Sequence, residues 1–160
     1  MELWELVARE RIRDTLARYN WSGDALRLDE LAAAFCEDGV LAIRGREPAN
    51  GRAAIVELLS FGAGADDDEA RRAQAKEAAA SGGRRIVRHN VNNIRFVSVA
   101  PDRIDVSCYF TVFTEIGLDH YGRYRDTFLP VGDDWLIQHR FVSTDWHSER
   151  STMVDPTEPH

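Results

Sequence analysis

Cysteine is scarce in this chain: Cys36 and Cys108 are its only thiols. No CxxC pair, HExxH helix or glycine-rich phosphate loop occurs, so the short motifs of zinc, redox and nucleotide sites are all missing. Each cysteine sits inside an apolar pattern, and both read as buried free thiols. Positive charge is also in deficit. Twenty Lys and Arg face 27 Asp and Glu, a net charge of −7. Arg84, Arg85 and Arg88 cluster, but no basic helix or stripe appears, which argues against a nucleic-acid surface. Apolar runs are too short to span a bilayer. The start, Met1-Glu2-Leu3-Trp4-Glu5, is acidic and lacks the basic-then-apolar order of a signal peptide, so the expected location is cytoplasmic.

What is present suits a soluble domain with a real core: 160 residues, 44% of them apolar and 29% charged. Trp4, Val7, Ala8, Ile12, Leu16 and Tyr19 recur at spacings of three and four, predicting a helix over 2–20. Asn20-Trp21-Ser22-Gly23 reads as its end. A second helix is expected over 28–36, with Leu28, Leu31, Ala32 and Phe35 on one face and Gly39 as its stop. Val40 to Ile43 reads as a short strand, and Pro48, Asn50 and Gly51 as a turn. A third helix carries Ile55, Val56, Leu58 and Leu59 and closes near Phe61-Gly62. Residues 62–83 hold no large apolar side chain past that point and predict a mobile segment or lid. Thereafter the period becomes that of strands, over 84–99, 103–116, 120–131 and 134–144, parted by turn residues at 100–102, 117–119 and 132–134. A domain over 1–146 and a polar tail over 147–160 follow. Helices first and consecutive antiparallel strands afterwards predict an α+β fold, its helices on one face of a curved sheet around a pocket.

Three groups of residues, in order, carry a resemblance. They are Tyr19-x4-Asp24 with Leu31-x3-Phe35-x2-Asp38-Gly39, His89-x3-Asn93, and Trp135-Leu136-Ile137-x2-Arg140. Together they resemble the SnoaL-like (NTF2-like) class, whose fold is a cone-shaped α+β barrel. The dehydratase-like branch, with scytalone dehydratase, hexachlorocyclohexane dehydrochlorinase and bile acid 7α-dehydratase, is the most similar part of it. The resemblance implies an Asp–His pair at Asp24 and His89 that takes a proton during an elimination, with no metal or organic cofactor. It implies an active-site arginine at Arg140 and a helping tyrosine at Tyr19. The second histidine of scytalone dehydratase has no secure match. The resemblance also implies a homo-oligomer, a trimer ahead of a dimer; the charge balance and the short apolar runs predict no nucleic-acid and no membrane partner.

The chemistry is sound on its own terms. Imidazole titrates near neutral pH, and a carboxylate on one ring nitrogen fixes the tautomer and stabilises the imidazolium. Plainer readings stand beside these. Asp24 could cap the next helix, His89 could be a half-buried strand residue, Arg140 could pair with Asp126 on its neighbour strand, and Tyr19 could simply close the apolar stripe. Trp21, Leu41, Tyr109, Phe110, Val112, Tyr124, Val142 and Thr144 are candidate pocket walls for a hydrophobic ligand. Tyr124, Val142 and Thr144 share parity with Arg140 if the last two strands form a hairpin. His120, His139 and His147 read as surface or rim residues, and their spacing fits no metal site. The expected activity is a cofactor-independent lyase or isomerase. The alternatives are a non-catalytic β subunit of an aromatic-ring-hydroxylating dioxygenase, a ligand-binding scaffold, or a polyketide-cyclase or epoxide-hydrolase type enzyme.

Overall fold

Period-two alternation in the second half of the chain produces four long strands in the computed structural model, which describes residues 1–62, 86–151 and 153–154. The order of elements is α1 (Leu3–Asp24), α2 (Leu28–Ala32), β1 (Phe35–Ile43), β2 (Ala49–Asn50), α3 (Arg52–Gly62), β3 (Arg88–Ala100), β4 (Arg103–Thr114), β5 (Gly117–Val131) and β6 (Asp134–His147). Strands β3 to β6 pair with their chain neighbours as antiparallel hairpins. β1 then adds to β6 in parallel, and β2 adds antiparallel to β1, giving the order β2-β1-β6-β5-β4-β3. The sheet is mixed and open. On β4, Ile104, Val106, Cys108, Phe110 and Val112 point into the protein while Arg103 and Tyr109 point out.

Helix α1 touches both β6 and β3, which have two strands between them, so the sheet curls around the helix. The expected α+β cone is what results. Ala8, Ile12 and Leu16 of α1 share one core with Phe35, Leu41, Ile55, Ile104, Phe128 and Ile137. The Thr15 hydroxyl donates to the Trp135 carbonyl at 2.8 Å and fastens the helix to β6. Cys36 and Cys108 are indeed buried and unbonded to each other. Burial pushes the Cys108 thiol up to about 12, which keeps it protonated and unreactive. No described helix is long and apolar enough to cross a membrane.

Four local expectations fail. Helix α1 does not stop at Asn20 but runs to Asp24, and the chain turns only at Leu26, whose φ is +56°. Gly23 weakens a helix by about 1 kcal/mol, yet Asn20 and Ser22 are buried here and Gly23 lies against Leu31, so packing outweighs propensity. Val7 lies on the exposed side of this helix rather than in its apolar stripe. The second helix is only five residues long, and Phe35 belongs to β1, opposite Ile137. A short apolar run does not reveal its own period, and pairing with β6 decides it. Gly39 is therefore no helix stop. It lies in the irregular stretch between Phe35 and Val40, where an added Cβ would come within 2.9 Å of the Ile137 carbonyl. The segment 63–85, which includes most of the expected lid, falls outside the described residues.

Gly122 has the tightest surroundings. It sits at a register shift between β5 and β6, where a methyl group would collide with the Ser143 carbonyl and with the Phe110 ring. Gly122→Ala should cost about 1–3 kcal/mol, as overpacking commonly does. Thermal melting checks this, and an unchanged Tm would mean that the two strands part there freely.

Candidate active site

The extra turn of α1 is what assembles the site. Residues 19, 20, 23 and 24 fall on one helical face only if the helix persists to 24, and all four line a single cavity. The cavity lies between the helices and the concave face of the sheet and has a volume of about 280 Å³. Its wall is mostly apolar, with Leu31, Leu41, Leu58 and Val142 among the contributors. That volume is near the lower end for small-molecule sites and suits a ligand of one or two rings.

Asp24 and His89 meet inside it. The carboxylate takes the His89 ring Nδ1 at 2.6 Å through Oδ1 and the His89 backbone N–H at 3.0 Å through Oδ2. Asp24 is thus no cap; the N-cap of α2 is Arg27. With Nδ1 held by the carboxylate, Nε2 of His89 has no described partner and is the nitrogen open to a ligand.

A second pair stands beside the first. His120 is buried, lines the cavity and bonds Asp119 through Nδ1 at 2.8 Å. Its ring centroid is 6.4 Å from that of His89. Reading His120 as a rim residue was therefore wrong. A register shift between β4 and β5 leaves Asp119 and His120 both inside: His120 keeps the inward parity of Gly122 and Tyr124, and Asp119 is the residue that departs from the alternation. Burial lowers the His120 pKa from its ordinary 6.5, and the Asp119 carboxylate offsets part of this. The proton is thus bound less tightly in the folded state than in the unfolded chain. Stability contributed by neutral His120 is present above pH 6.5 and is lost as pH falls below it toward the folded value. Urea unfolding between about pH 7.5 and 5 should show that loss. The His120→Gln variant should lose less over the same window, and equal slopes would refute the assignment.

Arg140 is not in the cavity. It is fully buried and directly opposite Asp126, to which Nε and Nη2 donate at 2.9 and 2.7 Å. The plainer reading of this residue, a cross-strand ion pair, is the one that holds. Burial works against its charge, but Asp126 outweighs that and holds its pKa above the ordinary arginine range. The guanidinium lies over the rings of Tyr19 and Tyr124, 4.2 and 4.1 Å from their centroids. Both tyrosines line the cavity, so Arg140 supports its floor from behind. Burial raises the pKa of both phenols, with Arg140 pulling part of the rise back, and both stay protonated at neutral pH.

Of the expected wall residues, Leu41, Phe110, Tyr124, Val142 and Thr144 do line the cavity. The β5–β6 hairpin places Tyr124 opposite Val142, as the parity argument required. Trp21 does not line it. Two helical positions past Tyr19, it is 75% exposed on the far side of α1. Tyr109 is on the outward face of β4, and Val112 is buried in the small cluster with Cys108 rather than at the wall. Asn20 was missed because it read as part of a helix end. It is 7% exposed, and its Oδ1 is buried without a hydrogen-bond partner among the described residues. Its spacing of four from Asp24 was the available signal. Among the described residues no three His, Cys, Asp or Glu converge as metal ligands do.

Comparison with known proteins agrees with this architecture. The family model of the SnoaL-like domain matches residues 4–141. A Novosphingobium aromaticivorans protein proposed to be a scytalone dehydratase superposes with a TM-score of 0.68 at 22% identity, covering 89% of this chain and 87% of that one. An NTF2-like protein with a cystatin-like fold from the same organism has a TM-score of 0.68 at 25% identity, covering 90% and 86%. The β subunit of a proposed aromatic-ring-hydroxylating dioxygenase, also from Novosphingobium aromaticivorans, has a TM-score of 0.65 at 17% identity, covering 89% and 92%. No curated protein matches the sequence. With its family model matched from residue 4 to residue 141, this chain belongs to the SnoaL-like domain family.

Proposed function

We propose that this protein is a lyase, a dehydratase or related elimination enzyme, or an isomerase of the same proton-transfer type, acting on a hydrophobic small molecule. The observation that carries the reading is the 2.6 Å Asp24–His89 contact within a mainly apolar cavity. His89 Nε2 takes a proton from a carbon next to an activating carbonyl, and Asp24 stabilises the resulting imidazolium. The electron pair of the broken C–H bond forms the new double bond as the leaving group departs with its own pair. The imidazolium then returns its proton to a leaving hydroxide, making water and restoring neutral His89.

The other polar groups suit this sequence. Tyr19 and Tyr124, protonated at neutral pH, are donors for the enolate oxygen. Neutral His120, its Nδ1–H given to Asp119, offers Nε2 as an acceptor for a ligand hydroxyl. Asn20 serves a second ligand oxygen. A support subunit or bare scaffold would have no use for Asp24 facing His89, which favours the catalytic reading.

The test is a panel of β-hydroxy ketones, hydroxylated steroids and halogenated rings, incubated with the protein in deuterated water. Exchange of the α-proton or loss of the leaving group, followed by NMR, is the expected result. Ligands that bind in the cavity with no exchange and no elimination would give the lead to the scaffold or support-subunit reading.

A further inference from the structure

We propose that Ser151, in the segment that follows β6, is a positioning residue of the pocket: its hydroxyl competes with His120 for one oxygen of Asp119 and so couples the seating of the C-terminal wall to the state of that histidine. The assignment rests on the reading above only in taking His120 as a ligand-facing group. Past His147 the chain folds back. The Ser148 N–H donates to the Asp119 carbonyl at 2.7 Å, and Arg150 Nη2 donates to the Ile116 carbonyl at 3.3 Å. The Ser151 hydroxyl then donates to Asp119 Oδ1 at 2.6 Å, the same oxygen that takes His120 Nδ1 at 2.8 Å. The other oxygen, Oδ2, accepts from the Thr114 hydroxyl at 3.0 Å. Asp119 is 1% exposed, so these donors carry its solvation.

Ser151 also acts as an acceptor. The backbone N–H groups of Met153 and Val154 point at its oxygen, at 3.1 and 3.2 Å. Met153 and Val154 line the cavity, and Val154 is 5% exposed. Chains of hydrogen bonds polarise one another. When 153 and 154 are seated against the cavity, their N–H groups strengthen the Ser151 donor, which draws charge from Oδ1 and weakens its hold on His120. When they lift away, Oδ1 holds His120 more strongly, and the imidazolium form gains. The other titratable groups facing His120 are His89 on β3, backed by Asp24 of α1, and His147 on β6, its register partner.

Long-range proton–nitrogen NMR of the histidine rings tests this without a substrate, with His120 assigned through His120→Gln. In Ser151→Ala the His120 pKa should rise by about 0.5–1, the size of one hydrogen bond's net contribution. Its Nδ1–H resonance should move downfield as the bond to Asp119 tightens, and Ser151→Thr should restore both values. Val154→Ala loosens the wall but keeps the hydroxyl; the coupling predicts a smaller rise in the His120 pKa than in Ser151→Ala, with Nδ1–H moving downfield alongside it, and that movement separates the two causes. If exposure alone governed His120, Val154→Ala would raise the pKa as much as Ser151→Ala, with no downfield movement of Nδ1–H in either. That result, or an unchanged His120 in Ser151→Ala, would overturn the proposal. A protein without lyase activity would still show the expected pattern, so the two readings fail separately.

Discussion

His89→Ala and Asp24→Asn are each expected to reduce turnover by about 10²–10⁴-fold, the range general-base catalysis supplies, with the fold and ligand binding retained. The first removes the proton acceptor. The second is the more telling, because the carboxylate has two separate tasks, receiving the His89 backbone N–H on Oδ2 and the ring Nδ1 on Oδ1. An asparagine has one oxygen for both. If that oxygen keeps the backbone N–H, its amide faces Nδ1, and the ring proton is driven to Nε2. The wrong tautomer then meets the ligand, and the charge that stabilises imidazolium is gone. Since the pair acts as a unit, the double variant should be barely slower than either single one. The measurement is α-proton exchange in deuterated water with whichever member of the panel binds. Equal exchange by wild type and His89→Ala would show that His89 is not the base.

Removing one partner of the Asp126–Arg140 pair should have the largest effect on stability. Both side chains are fully buried and joined by two short hydrogen bonds, and Nη1 of Arg140 is already without a partner among the described residues. Asp126→Ala leaves a guanidinium in the core with no counter-charge, which costs about 3–5 kcal/mol. For a chain of this length that lowers Tm by roughly 6–20 °C, at about 2–4 °C per kcal/mol. Arg140→Lys should also destabilise, since an ammonium cannot form the paired contacts of the planar fork. Asp126→Leu combined with Arg140→Met should recover much of the loss, because it leaves no unpaired charge behind. Urea unfolding of the set decides. Should Asp126→Ala cost no more than removing the 59%-exposed Arg103 from its pair with Asp105, the buried pair is not what holds the cavity floor.

The pattern of success along the chain has a physical cause. The four strands were legible because alternation is a property of neighbours in sequence, and each strand needs only one buried face to show it. Tyr124, Val142 and Thr144 are legible at the cavity for that reason, whereas Phe110 lies on a strand whose parity the sequence leaves open and Leu41 in a short apolar run outside those four strands. Tyr109 faces outward, because the parity of the middle strand is settled only once its inward face is known; Val112 does point inward but packs in the cluster with Cys108 rather than at the cavity. Trp21 was misjudged because the helix was ended too soon, and the same error hid Asn20. His120 shares the inward parity of Tyr124, so alternation along β5 carried a signal for it; what no local pattern shows is the register shift that turns Asp119 inward beside it.

By itself the sequence determined the family, the α+β order of elements and the two residues, Asp24 and His89, that come together across 65 positions. These are carried by periodicity and by a motif order that survives without coordinates. The tertiary structure alone decided that Arg140 is buried behind the cavity floor, that Asp119–His120 is a second pair within it, and that Met153 and Val154 complete its wall. Each depends on which groups share a buried space. A charge settles where a counter-charge and hydrogen bonds offset its desolvation. Asp126 does that for Arg140 from the neighbouring strand, a partner fixed by strand register rather than by any local signal in the chain.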